Sequence, residues 1–317
     1  MKAVRFHEYG GLEVLKFEEA PKPEAGASEV LVRVHASSVN PIDWKIRAGH
    51  LRGFREYPLP FILGWDVSGV IESVGPGVTQ WKAGDEVFGR PDLARPGAYA
   101  EYVAVREGEI ARKPAALDYI QAAAIPLAGL TAWQALFDVA ELKPGQRVLI
   151  QAAAGGVGSL AVQFAKLKGL YVAGTASGRN QDFLKELGVD QPVNYETTRF
   201  EEVVHDMDAV IDALGGEIRT RSWKTLKKGG ILVALLGGPP SEEGAKELGV
   251  RQTVMWVKPN PAELTEIGDL AATGKIRVIL DSVFSLRDAA KAHERSQTEH
   301  ARGKIVLKVE DQVGNHG

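Results

Sequence analysis

The chain has 317 residues, 44% hydrophobic and 25% charged, with a formal net charge of −3, the make-up of an ordinary globular protein of about two domains. The near-neutral charge leaves no electrostatic footprint for nucleic acid or an acidic membrane surface, and no stretch approaches the ~18 apolar residues of a membrane span. There is no cysteine, which removes disulfides, thiolate metal ligands and cysteine nucleophiles.

The opening MKAVRFHEYG has neither the apolar core of a secretory signal nor the Arg/Ser-rich look of a transit peptide, so a cytoplasmic protein is expected. The N-terminal third of the chain reads as β. EVLVRVHASSV (29–39) alternates, with Val30, Val32 and Val34 on one side; VSGVIESVG (67–75) and AYAEYVAV (98–105) read as further strands. Turns fall at Gly75-Pro76-Gly77, Ala83-Gly84-Asp85 and Arg95-Pro96-Gly97. From Asp118 to Ala140 the text is helical and Ala-rich, interrupted at Pro126. After Lys143-Pro144-Gly145 come strand–helix units with strands RVLIQ (147–151), LYVAGTA (170–176), AVIDAL (209–214) and ILVALL (231–236). Near-continuous apolar strands alternating with helices imply a parallel sheet covered on both faces. A helix near 261–273 is followed by β-like IRVIL and KIVLKV, and the final DQVGNHG reads as frayed.

The stretch RVLIQAAAGGVGSLAVQFAKL (147–167) is a strand, a small-residue loop and an amphipathic helix. Ala153, Gly155 and Gly158 have G-x-G-x-x-G spacing with Ala first. Such a loop lets a pyrophosphate approach the backbone, lets the helix pack closely and places free N–H groups at a positive helix end. The strand-to-helix context points to a dinucleotide. The next strand ends Gly174-Thr175-Ala176-Ser177-Gly178-Arg179-Asn180, with no acid until Asp182. An acid there would bind a ribose 2′-hydroxyl; Ser177, Arg179 and Asn180 instead suit a 2′-phosphate, so NADPH is the expected cofactor.

SSVNPIDWKIRAG (37–49), PFILGWDVSGVIESVGPGVTQWKAGDEVFG (60–89), AAAIPLAGLTAWQAL (122–136), AAAGGVG (152–158) and HARGKIVL (300–307) together resemble the zinc-free quinone oxidoreductase branch of the medium-chain dehydrogenase/reductase superfamily. The resemblance spans nearly the whole chain. It implies an α/β protein: a GroES-like, partly open β-barrel domain from residues 1–120 and 268–317, and a Rossmann doubly wound parallel-sheet domain from 121–267 inserted between. The zinc-binding relatives hold a catalytic metal with Cys, His and Cys; the matching positions here are Asn40, Trp65 and Leu127, none able to replace those ligands. The structural-zinc lobe is absent as well.

The resemblance places cofactor contacts at Thr131, at Ala154, Gly155, Gly156 and Val157 in the loop, at Ser177, Arg179, Asn180 and Tyr195, at Leu214, and at Arg302 and Lys304 near the C-terminus, where a strand with solvated ends is the other reading. Asn40 matches an asparagine beside the nicotinamide. Lys45 is a candidate to donate to a carbonyl oxygen, with Asp43 orienting its neighbours. Tyr57 lines the cleft or lies on the surface; Trp65 and Trp256 wall a pocket or fill core. The histidines read as structural or surface. The implied activity is NADPH-dependent hydride transfer to a quinone or an α,β-unsaturated carbonyl, by a homodimer with a small-molecule substrate. A metal-independent carbonyl or alcohol dehydrogenase, and a non-catalytic NADPH-binding redox sensor or structural protein, stay open as alternatives.

Overall fold

The computed structural model describes residues 1–235, 237 and 242–309. In chain order it forms β1 (Lys2–Phe6), β2 (Leu15–Glu19), β3 (Glu29–Val39), α1 (Pro41–Arg47), β4 (Phe61–Ile62), β5 (Val67–Val74), β6 (Glu86–Gly89), β7 (Tyr102–Arg106) and β8 (Ile110–Arg112). Then come α2 (Tyr119–Ala123) and α3 (Pro126–Trp133), the latter running on as a π-helical turn over Gln134–Val139. The strand–helix units are β9 (Arg147–Ile150), α4 (Gly156–Leu167), β10 (Tyr171–Ala176), α5 (Gln181–Glu186), β11 (Gln191–Asn194), α6 (Phe200–Val203), β12 (Met207–Asp212), α7 (Gly216–Ser222), β13 (Leu226–Ala234), α8 (Glu242–Glu247) and β14 (Arg251–Val254). The chain closes with α9 (Pro261–Ala272), β15 (Leu280–Ser285), α10 (Ala289–Gln297) and β16 (Lys304–Lys308).

Two compact units result. Among the described residues, one comprises 1–127, 259–274 and 278–309; the other comprises 128–258 with 275–277. The first has a small antiparallel sheet, β2-β1-β4, and a larger one, β15-β16-β3-β5-β6-β8, with β7 also on β3. Its core follows the alternation of β3: Val30, Val32 and Val34 are buried with Phe6, Leu63, Trp65, Val67, Ile71 and Tyr99. Residues 121–127 and 259–267, which the resemblance gives to the inserted domain, lie in this unit, where α9 packs so closely that a Cβ on Gly268 would stand 2.9 Å from Phe88 and 3.1 Å from Pro114.

The second unit holds one all-parallel sheet in the order β11-β10-β9-β12-β13-β14. Numbered within the unit this is 3-2-1-4-5-6, the Rossmann order, and it reverses between β9 and β12. Leu149, Ala173, Val210 and Leu232 are fully buried at its centre. Such strands carry no polar alternation, because helices cover both faces.

Three expected strands differ. Of AYAEYVAV only the end pairs, and Ala100 makes a single bridge to Ala3. ILVALL belongs to a strand that starts five residues earlier, at Leu226, and ends at Ala234; Leu236 lies outside the described residues, as does DQVGNHG. IRVIL is not a strand before Leu280. Its backbone is satisfied by a side chain instead: Gln163 of α4 donates to the Arg277 carbonyl (3.1 Å) and accepts from the Arg277 N–H (2.7 Å). Gln134 treats Lys258 the same way, at 2.9 and 3.0 Å. Each amide imitates a strand partner at a place where no strand is available. Among the described residues no helix is long and apolar enough to cross a membrane.

Replacing Gln163 by Leu strips both polar groups of Arg277 of this partner. We expect a loss of about 1–3 kcal/mol in unfolding free energy, read from denaturant melts.

Candidate functional site

In the second unit the loop after β9 is held from beneath. Gln151, buried, accepts from the Thr175 hydroxyl (2.6 Å) and donates to Ser222 (3.0 Å), joining β9, β10 and α7. The Ala153 N–H donates to the Thr175 carbonyl at 2.9 Å. Ala152 takes the left-handed φ of 52°, a conformation that non-glycine residues adopt at a cost, and the chain turns from there into α4. A Cβ on Gly158 would lie 2.3 Å from the Ala152 carbonyl oxygen and 2.7 Å from the Ala153 Cα. The helix thus packs on the loop itself, closer than any other residue permits. Gly155 is the N-cap of this 12-residue helix, and no side chain caps it. The first-turn N–H groups after Ala154, at Gly156 and Val157, thus stand at the positive end of the helix, and the first turn carries no acidic residue.

The loop after β10 has Ser177 and Asn180 buried, with the Asn180 amide donating to the Ser177 hydroxyl (3.2 Å), and Gly178 and Arg179 exposed. Tyr195, half exposed, stands beside it, because its N–H donates to the Ala176 carbonyl (3.2 Å). Glu196 also reaches this loop: its Oε2 accepts the Gly178 N–H at 2.7 Å. Nothing in the linear sequence signals Glu196, since only the parallel pairing of β11 on β10 brings it there. After β12, the buried carboxylate of Asp212 accepts from the N–H groups of Leu214 (3.0 Å) and Gly215 (2.9 Å) and from Arg219 (2.6 Å). It leaves the Leu214 side chain exposed next to the strand-order reversal. Thr131 is buried on α3, and Trp256 is half exposed rather than core.

In the first unit the polar centre is Asp66, fully buried. One carboxylate oxygen accepts from Ser38, from the Asn40 amide (2.7 Å) and from the Lys304 ammonium (3.5 Å); the other accepts the Leu127 N–H (2.6 Å). Lys304 also donates to the Asn40 side-chain oxygen and to the Val39 carbonyl (3.3 Å). The ammonium has three protein acceptors for three hydrogens, so it serves to hold Asn40. Sequence reasoning misses Asp66, although an acid inside PFILGWDVSGV is a visible anomaly.

Asn40 is held a second way. Its N–H donates to Asp43 Oδ2 (2.7 Å), which also accepts from the Tyr99 hydroxyl (2.7 Å). Arg47 reaches His293 Nδ1 at 3.4 Å, and His293 Nε2 lies 3.3 Å from the Tyr99 oxygen. A guanidinium only donates, so Nδ1 accepts, Nε2 carries the hydrogen, and the chain of donors runs Arg47, His293, Tyr99, Asp43. Burial is the first cause of every shift here: it pushes the Asp43 carboxyl up to about 7 and His293 down to about 3, and it raises Tyr99 well above its ordinary value. Asp43 thus orients its neighbours, and His293 is structural.

The other site candidates have the following surroundings. Lys45 lies over the Trp44 ring at 5.3 Å, and burial lowers its pKa. Tyr57 is buried, its ring 4.7 Å from that of Phe61, and burial pushes its hydroxyl up to about 12. Trp65 is core. Arg302 is exposed, its N–H donating to Asp281 (2.9 Å). Asn40 and Leu127, two of the positions that bear zinc ligands in relatives, both bind Asp66, the neighbour of the third, Trp65. Among the described residues no group of three or more His, Cys, Asp or Glu could hold a metal ion.

Two family models match the chain, one described as an alcohol dehydrogenase GroES-like domain over residues 26–115 and one as a zinc-binding dehydrogenase over residues 187–307. The chain is 36% identical to the NADPH-dependent alkenal/one oxidoreductase, chloroplastic, of Arabidopsis thaliana over 97% of its own length and 79% of that protein. Its fold matches the quinone oxidoreductase of Coxiella burnetii with a TM-score of 0.90 at 40% identity, covering 98% of this chain and 99% of that one. The Escherichia coli quinone oxidoreductase complexed with NADPH matches at a TM-score of 0.89 and 29% identity, over 97% and 100%. The chain belongs to the medium-chain dehydrogenase/reductase superfamily, a family of nicotinamide-dependent oxidoreductases. Within it, Asn40, Trp65 and Leu127 at the zinc-ligand positions put the chain in the zinc-free quinone oxidoreductase branch.

Asp43 and His293 oppose each other in pH dependence. Between about pH 4 and 6.5 folded Asp43 keeps a proton that the unfolded chain has released, so its contribution to stability falls as pH rises; folded His293 lacks a proton that the unfolded chain holds, so its contribution rises. Denaturant melts across this window should therefore show Asp43→Asn gaining stability with pH relative to wild type, and His293→Gln losing it. Parallel curves for all three proteins would refute the burial assignment.

Proposed function

We propose that this protein is an NADPH-dependent reductase of quinones or α,β-unsaturated carbonyls that works without metal. The observation that carries the reading is the uncapped α4 terminus closed onto its loop by Gly158, followed at the end of β10 by Ser177, Arg179 and Asn180 in place of an acid. The N–H groups of Gly156 and Val157 would hold the pyrophosphate, and Arg179 with Ser177, Asn180 and Tyr195 the 2′-phosphate. When bound, the cofactor supplies the hydride. The names of the relatives, an alkenal/one oxidoreductase and quinone oxidoreductases, support the substrate class. A conjugated acceptor spreads the incoming charge onto oxygen, so the chain's own contribution reduces to orientation and polarisation. Asn40 is suited to orientation because Asp66, Lys304 and Asp43 fix it from three sides. Lys45 remains the candidate donor to a carbonyl oxygen. β14 is the outer strand of the parallel sheet and half exposed, which suits a homodimer formed through that edge.

The direct test is NADPH absorbance in a panel of quinones, alkenals, cyclic enones and ketones. We expect turnover with a simple quinone or enone, unchanged by a chelator; turnover confined to saturated ketones, or lost with a tightly bound metal, would sink the reading. A charge-assisted guanidinium–phosphate contact is worth about 1.5 to 3 kcal/mol when well formed. Arg179→Ala should raise the KM for NADPH about tenfold or more and leave that for NADH nearly unchanged, with a smaller effect at high salt.

A further inference from the structure

The loop that the proposed function gives to the ribose is not free of carboxylate. Glu196 sits two residues beyond β11, and its backbone is placed rather than loose. Asn194 pairs with Ala176 across the parallel strands, the Tyr195 N–H donates to the Ala176 carbonyl (3.2 Å), and the Glu196 N–H donates to the Asn194 side-chain oxygen (3.1 Å). From there the carboxylate turns back onto Gly178 and accepts its N–H at 2.7 Å. A Cβ on Gly178 would stand 3.2 Å from that same oxygen and 3.1 Å from the Asn194 amide nitrogen. Glycine at 178 thus leaves room for the carboxylate against the backbone.

We infer that Glu196 is a specificity-determining residue that opposes Arg179 in the choice of cofactor. The inference rests on the reading that residues 177–180 receive the adenosine ribose. A backbone N–H has one hydrogen to give. While Glu196 accepts it, a 2′-phosphate finds that donor taken and a negative charge beside it, and both weaken its hold. A ribose that carries only a 2′-hydroxyl meets the opposite situation, because a carboxylate is the acceptor that NAD-type sites use for that hydroxyl. Those sites place the acid at the end of the second strand of the sheet. Here the second strand offers Arg179, and the third delivers the acid into the same loop. Arg179 draws the site toward NADPH and Glu196 toward NADH, so the protein discriminates less than the arginine alone would make it.

The test is equilibrium binding, by quenching of the native tryptophan fluorescence or by calorimetry, of NADPH, NADH, 2′,5′-ADP and 5′-AMP. The proteins are wild type, Glu196→Ala, Glu196→Gln and Arg179→Ala. Glu196→Ala should tighten NADPH and 2′,5′-ADP about 3- to 10-fold and weaken NADH by a similar factor. Glu196→Gln removes the charge and keeps an acceptor, so it should tighten NADPH with little change for NADH. If Arg179→Ala selectively weakens 2′,5′-ADP while both Glu196 variants leave all four ligands unmoved, or shift NADPH and NADH in the same direction, the role of Glu196 is refuted and the NADPH site stands. If Arg179→Ala does not separate 2′,5′-ADP from 5′-AMP, the site reading fails and the inference falls with it. Thermal melts of each variant without ligand identify any change that comes from unfolding.

Discussion

A carboxylate with no exposed surface must be answered by donors, because an unpaired buried charge costs far more than any contact around it returns. Asp66 is such a carboxylate, and its donors come from three distant stretches of chain: Ser38 and Asn40 at the end of β3, the Leu127 N–H in α3, and Lys304 at the start of β16. Lys304 lies 238 positions from Asp66 along the chain and 264 from Asn40, yet all three meet at one point. The first unit is built from both ends of the chain, and this charge is one reason the C-terminal strand must lie beside β3. Asn40 is fixed as a consequence, with both ends of its amide and its backbone N–H engaged inside the protein.

The loop after β9 poses a different problem. As the proposed pyrophosphate loop it needs backbone N–H groups pointing outward and no side chain in the way, which leaves little to hold it. The support comes from below, through Gln151, Thr175 and Ser222, and from the side, where Gly158 lets α4 close onto the Ala152 carbonyl. Two further glutamines, Gln134 and Gln163, pin segments that have no strand partner. The same device, an amide that both donates and accepts, serves at Lys258 and at Arg277.

Much of this is legible in the residues. The alternation in EVLVRVHASSV marks β3 from Glu29 to Val39, and the apolar strands of the parallel sheet stand out because both of their faces are buried. The glycine spacing of AAAGGVG carries its own reason, since only a missing Cβ allows the helix so close. IRVIL misleads because apolar β-branched text fits a buried segment equally well whether its N–H groups go to a strand or, as at Arg277, to a glutamine. Lys304 reads as a group facing the cofactor, and the structure gives its ammonium to Asn40, Val39 and Asp66 instead.

The sequence by itself determined the class of most elements and the glycine-spaced turn between β9 and α4, and its resemblance to the family marked Asn40, Trp65 and Leu127 as the positions where zinc-binding relatives carry ligands. The elements and the turn depend on residue type and local spacing alone. The tertiary structure decided what depends on partners far along the chain. Burial makes Asp43 hold its proton and His293 refuse one, so the direction of hydrogen bonds through Tyr99 comes from the core and not from any motif. In the same way the register of β11 against β10 carries Glu196 to Gly178. A side chain's surroundings, unlike its identity, are set by which strands become neighbours, and that is fixed only when the whole sheet closes.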